Sequence, residues 1–195
     1  MSSLLVAAPL RLEAVLISSA ARGALVRKTG MGPAHAKSAA AELAQQAASR
    51  LLVVGFCGGL DEESAPGEVI VADEVYAAAD EGHPEQRVRC ELAGELVAGL
   101  TGRGMKVRLG NVVCVSRLAL GERRAELHAG GAIGVDMESV WLAGAAGERP
   151  FGVVRVVLDS PRHELMRPQA LGGALRAAKA LRRVAGALHE LAPGD

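Results

Sequence analysis

The chain has 195 residues, with 22 basic and 22 acidic side chains, so its formal net charge is zero. That length suits one domain, 1–195, which can bury a core without disulfides. Zero charge and only four aromatic rings (Phe56, Tyr76, Trp141 and Phe151) argue against a nucleic-acid partner, which needs a basic face and stacking platforms.

Short apolar runs alternate with longer Ala/Leu-rich segments along the chain. This is the pattern of an α/β protein, a mostly parallel mixed sheet flanked by helices. Residues 4–8 predict a first strand, 10–20 a helix and 24–28 a short strand. Pro33, just past Gly30 and Gly32, opens a helix to residue 50, because the fixed φ of proline suits a first helical turn. A buried strand over 51–55 leads into a glycine-containing loop that ends at residue 67. Strand 68–75, helix 91–103 and strand 106–116, broken near Gly110, come next. Helix 121–128, strand 132–135, helix 136–147 and strand 151–158 follow, then a proline-interrupted loop over 161–168.

The last predicted helix, 171–191, places Leu171, Leu175, Ala178, Leu181, Val184, Leu188 and Leu191 at three- and four-residue steps. Packing on the sheet is the default use of such a stripe. Its basic flank also suits peripheral contact with a lipid surface, without spanning it. Cys57, Cys90 and Cys114 are odd in number and widely spaced, which fits a reducing, cytoplasmic setting and small buried side chains. Residues 4–10 are apolar but lack a basic leader, and Arg11 and Glu13 interrupt the run, so neither a signal peptide nor a membrane span is expected.

Several chemistries lack their motif. Gly30-Met31-Gly32 sits between a strand and a helix, but His35 stands where a dinucleotide-binding loop needs its third glycine. There is no phosphate-binding GxxxxGK[ST] run, no Gly-x-Ser-x-Gly elbow, and no pair of histidines at metal-ligand spacing. No cofactor or metal is therefore expected. Carboxylates remain: Glu13 follows the first strand, Asp136 and Glu138 straddle a strand-to-helix junction, and Asp159 ends the last strand. In an open parallel sheet, ligands bind outside the carboxyl ends of the strands, where these acids would meet. Taken singly, each acid reads equally as a helix cap or a solvated side chain.

Five segments carry a resemblance. Val54-Gly55-Phe56-Cys57-Gly58-Gly59-Leu60 and the run 67–75 resemble the TGSAGGL and GDIVVSDEV segments of purine nucleoside phosphorylases and 5′-methylthioadenosine/S-adenosylhomocysteine nucleosidases. Lys28-Thr29-Gly30-Met31-Gly32-Pro33 is similar to their SGIGK turn, Val135-Asp136-Met137-Glu138-Ser139 to VEMEA, and the run 154–160 to VRAISDSA. The resemblance implies a nucleoside phosphorylase-like fold, a small-molecule nucleoside substrate and a homodimer or larger oligomer.

It also implies roles. Glu138 would hold the ribose hydroxyls, with Met137 against the sugar. Asp159 would act as general acid to the departing purine, and Glu13 would orient the attacking water. Phe56, Cys57 and Gly58, with Val135 and Ser116, would complete the substrate lining. Such chemistry passes through an oxocarbenium-like sugar, with an acid on the leaving group and a base on water. A protonated Asp159 would need desolvation or a neighbouring carboxylate.

Departures refine the expectation. Phe56 replaces the serine of TGSAGG and no GDPxR-like stretch is present, which favours hydrolysis over phosphorolysis. The alternative places phosphate at the amides of residues 30–32, ahead of a helix. Residues 113–118 lack the SGDAF signature, and the segment 22–27 is short. The first argues against an ordinary methylthioadenosine nucleosidase, and the second is shared by the hopanoid-associated nucleosidases and the futalosine hydrolases. The 135–139 segment, the 153–168 run and the Leu/Arg-rich tail most resemble the hopanoid-associated nucleosidases, which release adenine from adenosylhopane. Futalosine hydrolysis, methylthioadenosine or S-adenosylhomocysteine hydrolysis, and a nucleoside-binding protein without catalysis remain the other readings.

Overall fold

The computed structural model describes residues 4–79, 86–163 and 170–188. Among the described residues, eight strands and six helices follow in the order β1 (Leu4–Ala8), α1 (Arg11–Ser18), β2 (Leu25–Lys28), α2 (Pro33–Ala44), β3 (Arg50–Gly59), β4 (Val69–Ala77), β5 (Arg87–Arg89), α3 (Ala93–Gly102), β6 (Val107–Cys114), α4 (Glu122–Ala129), β7 (Ala132–Asp136), α5 (Ser139–Ala143), β8 (Phe151–Asp159) and α6 (Ala170–Leu188). The α/β expectation holds, and the sheet is mixed: β1–β2, β1–β3, β3–β8, β4–β6 and β6–β7 pair in parallel, while β3–β7, β4–β8 and β4–β5 are antiparallel.

These pairings close a ring. From β3 the ladder passes to β8, β4, β6 and β7 and returns to β3, while β1 and β2 extend from the opposite edge of the first half of β3. Strand β3 serves both parts by changing partner along its length. Leu51 to Val53 pair with β1, and Gly58 and Gly59 pair with β7. A shift in register against β8 falls between Cys57 and Gly58, and such a bulge resets which face a side chain points to. Gly55 lies beside Arg155 and Gly58 beside Asp159, so both glycines share a face with two residues that lie four apart on β8.

Several sequence boundaries are corrected. The strand expected to stop at residue 55 runs on to Gly59, because two neighbours supply ladder bonds to a glycine-rich stretch that otherwise looks like loop. Strand β6 is continuous through Gly110, with its irregularity one step later, between Asn111 and Val112. The helix expected over 136–147 shrinks to Ser139–Ala143, since Asp136 still belongs to β7 and the chain turns at Gly144. The helix from Pro33 ends at Ala44, and β5, a short edge strand on β4, was not anticipated.

Strands β1, β3 and β8 are apolar on both faces and buried. Helices α1 and α6 pack together, as do α2 and α5, and α3 packs on β4, β6 and β8. Within α6 only part of the stripe is used. Leu181, Val184 and Leu188 are in the core, whereas Leu171 and Leu175 are exposed; residue 191 lies outside the described residues. Among the described residues no helix is long and apolar enough to cross a membrane.

Gly152 shows how closely α3 meets β8. A Cβ there would lie 2.7 Å from Leu96 Cδ1, 2.8 Å from Leu52 Cδ2 and 3.0 Å from Leu92 Cβ. Replacing a strand glycine removes unfolded-state freedom worth ~0.4–1 kcal/mol, but overpacking costs ~1–3 kcal/mol, and here the anchored Leu92 Cβ cannot swing away. Gly152→Ala is therefore expected to lower the stability measured by urea unfolding by about 1–2 kcal/mol.

Candidate active site

The carboxyl ends of β1, β2, β3 and β8 and the ends of β6 and β7 carry every acid singled out in the sequence. They form two groups rather than one, set along one face of the 55–59 segment of β3, the first beside Gly55 and the second beside Gly58. The first surrounds Arg155, which is fully buried at the centre of β8. Its Nη2 lies 2.6 Å from Asp136 Oδ2 and 3.7 Å from Glu138 Oε2, and donates to Ser139 Oγ at 2.9 Å. Its Nη1 donates to the Phe56 carbonyl at 3.3 Å, and Nε has no hydrogen-bond partner among the described residues.

Glu13 enters this group from α1. Its Oε1 accepts the Phe56 N–H and its Oε2 the Leu10 N–H, both at 2.6 Å. The second bond is half of a capping box, a side chain at the third helical position reaching back to the helix start. The first ties α1 to β3, and it requires Gly55. A Cβ there would lie 2.6 Å from Glu13 Oε1 and 2.9 Å from Arg155 Nη1. Glu13 is 1 % exposed. Burial pushes its carboxyl above the ordinary value, and this outweighs the opposing pull of Arg155 and the two N–H donors.

Asp136 organises the turn into α5. Its Oδ1 accepts from the N–H of Glu138 (3.1 Å), the N–H of Ser139 (3.2 Å) and the Cys114 thiol (2.8 Å), and its Oδ2 accepts from the Ser139 hydroxyl. Burial alone would raise it, but Arg155 and these donors hold Asp136 below its ordinary value. Asp136 is thus the helix-terminus acid that the sequence left as one option. Cys114 is more than a small core residue, since it also accepts the Val140 N–H.

Glu138 spans the site. Its Oε1 accepts the Gly32 N–H at 2.8 Å across 106 residues of sequence. Gly32 precedes α2 with φ +86°, a conformation that a side chain would strain. Burial, with the charges of Asp136 and Glu13 adding to it, raises Glu138 to about 7 against the pull of Arg155 and the Gly32 N–H.

The second group is Asp159 with Arg124. Arg124 Nη2 is ion-paired to Asp159 Oδ2, and both residues are buried. The neighbour of Asp159 is therefore a guanidinium, not the second carboxylate that the sequence reading of a protonated acid had named. The phosphate alternative also meets a correction, because the Gly32 amide already holds the Glu138 carboxylate.

Gly58, Val115, Leu118, Ala119, Val135 and Met137 line a cavity of about 40 Å³ together with Arg124, Asp136 and Asp159. Ser116 is exposed and does not line it. Cys57 is buried beside Gly134, and the Phe56 side chain packs on the main core while its backbone serves Glu13 and Arg155. Sequence reasoning missed Arg155 and Arg124. Arg155 had a signal, a cation in the middle of an otherwise apolar strand, where only a paired charge is tolerated. Arg124 had a faint one, a helical spacing of three from buried Leu127.

Comparisons with known proteins place the fold. The family described as Phosphorylase superfamily matches residues 11–191. The AMP nucleosidase of Escherichia coli (strain K12) is 32% identical over 170 residues, which cover 76% of this chain but 35% of that protein, so the chain spans about a third of its relative. Among solved structures, the 5′-methylthioadenosine/S-adenosylhomocysteine nucleosidase of Helicobacter pylori has a TM-score of 0.79 at 14% identity, covering 98% of this chain and 97% of that one. The futalosine hydrolase of Helicobacter pylori has a TM-score of 0.77 at 14% identity, covering 95% and 94%. The family model matches most of the chain, and the chain belongs to the phosphorylase superfamily.

Proposed function

We propose that the chain is a nucleosidase that hydrolyses the N-glycosidic bond of a 5′-substituted adenosine and releases adenine. The observation that carries this reading is the placing of the acids along one face of β3, with Glu13 and Glu138 around Arg155 beside Gly55 and Asp159 beside Gly58. A nucleoside laid along that face would meet a base and a sugar-hydroxyl acceptor at one end and a leaving-group acid at the other. Its relative at 32% identity is an AMP nucleosidase, which supports the same bond as the target.

In the reaction the bond from C1′ to the purine nitrogen breaks, and its electron pair stays with the purine. Asp159, with Oδ2 on Arg124, takes a proton from solvent on its other oxygen and passes it to the purine, water adds to C1′, and Glu13 takes a proton from that water. Burial makes the Glu13 carboxylate a stronger base than an exposed one. Glu138 accepts from the ribose hydroxyls, and the buried carboxylates favour the positive charge that develops on the sugar.

Hydrolysis is preferred to phosphorolysis because the Gly32 amide, just ahead of α2, already donates to the Glu138 carboxylate, where an anion would otherwise bind. For the 5′ group, the 135–139 and 153–168 runs and the short 22–27 segment support a hydrocarbon substituent of the adenosylhopane kind. A cytoplasmic homo-oligomer, and light contact of exposed Leu171 and Leu175 with a lipid surface, belong to the same reading. Failure of the protein to bind anionic liposomes at low salt would remove the lipid contact.

Incubating a panel of 5′-substituted adenosines without and with phosphate tests the reaction. Adenine and free sugar are expected in both, whereas sugar 1-phosphate would mean phosphorolysis. Purine binding by calorimetry with no base released from any analogue would mean a binding protein. Asp159→Asn and Glu138→Gln are each expected to lower kcat/KM by ~10²–10⁴, the worth of a positioned acid or base, with unchanged circular dichroism.

The pH profile follows from Glu138. Its carboxylate is the form that accepts from hydroxyls, and it is replaced by the acid as pH falls through about 7. Measured kcat/KM should therefore decline on the acid side with a midpoint near 7, not near the ordinary glutamate value.

A further inference from the structure

Arg124 is 3 % exposed and, with Leu127, is one of two buried residues on α4. All three of its donor positions are engaged. Nε donates to the Ala119 carbonyl at 2.9 Å, Nη1 to the Gly59 carbonyl at 3.3 Å, and Nη2 pairs with Asp159 Oδ2. One planar fork thus joins the 115–121 loop, the end of β3 and the proposed acid. A guanidinium held at three points in this way cannot turn freely, and neither can the carboxylate it grips.

The other carboxylate oxygen borders the cavity. A Cβ on Gly58 would lie 3.4 Å from Asp159 Oδ1 and 3.5 Å from Arg124 Nη2, so the absence of a side chain at Gly58 leaves Oδ1 accessible from that side. The cavity, about 40 Å³, has room for a few waters and is too small for a purine. A base is admitted only when its wall shifts, and Leu118 and Ala119 form part of that wall. Ala119 is also the residue whose carbonyl Arg124 holds. Leu118 and Leu120, beside it, are exposed.

Building on the nucleosidase reading, we propose that Arg124 is a positioning residue for departure of the base. It fixes Oδ2 of Asp159 so that Oδ1 meets the purine, and it couples that orientation to the seating of loop 115–121 over the base.

Two leaving groups separate this role from a purely structural one. Adenine departs with a proton, whereas 4-nitrophenol departs from 4-nitrophenyl β-D-riboside as a stable phenolate without one. In Arg124→Gln, kcat for the adenosine substrate should fall on the order of 10²-fold with KM little changed, the cost of a misplaced group. Release of 4-nitrophenol should stay within about twofold of wild type. Arg124→Lys stands beside it in case the neutral variant does not fold. Its ammonium keeps the charge but cannot span two carbonyls and a carboxylate, so the same pattern is expected. Glu13→Gln should slow both substrates.

An Arg124 variant that is folded by circular dichroism and loses both activities equally, or loses neither, overturns the role of Arg124 alone. Wild-type protein that releases neither adenine nor 4-nitrophenol overturns the nucleosidase reading and this role with it.

Discussion

A single guanidinium, Arg155, sits without solvent contact among three carboxylates that come from α1, from β7 and from the turn into α5. An isolated buried charge of either sign is expensive, and removing one partner of a buried pair costs ~3–5 kcal/mol. Each member is therefore tolerated only because the others are there. One cation cannot fully neutralise three acids, and the protein resolves the shortage by rank. Asp136, at 2.6 Å and with four further donors, is held below its ordinary value, while Glu13 and Glu138 are pushed above theirs. The unequal sharing leaves two of the three carboxyls above their ordinary value and one below it.

Glycine makes that arrangement reachable. The β3 backbone comes within reach of Glu13 because Gly55 has no Cβ, and the bulge at Cys57 and Gly58 keeps the strand in step with Arg155 and Asp159 on β8. A strand with ordinary side chains at these places would hold the two carboxylate groups apart from its backbone. The glycines of the 54–60 segment serve close approach, with no need for an unusual φ at Gly55, Gly58 or Gly59.

This explains what could be read in the sequence. The alternation of strand and helix, the acids at strand ends and the five resembling segments were legible, because periodicity and local motif carry them. Residues 56–59 looked like loop because Gly-Gly is a turn signal in isolation; only the partners on both sides, one of them 100 residues away, turn it into strand. Asp136 and Glu138 looked alike in sequence. What distinguishes them is distance to Arg155 and the number of donors, which no local pattern encodes. Arg124 was hidden for the same reason, since α4 is otherwise a charged, exposed helix whose one inward cation looks like its neighbours.

The closed ring has a further consequence, in the order of events during folding. Leu51 pairs with Phe151 and Gly58 with Val135, so the ring joins segments far apart in the chain, and such pairings form late because the loops between them must first be closed. Glu13 depends on β3, Arg155 on β8, and Glu138 on both β7 and Gly32. A chain still being synthesised, or one that has opened a single strand, holds no partial version of this site. Assembly of the acids and closure of the ring arise together, and a nascent chain presents no half-built version of the cluster.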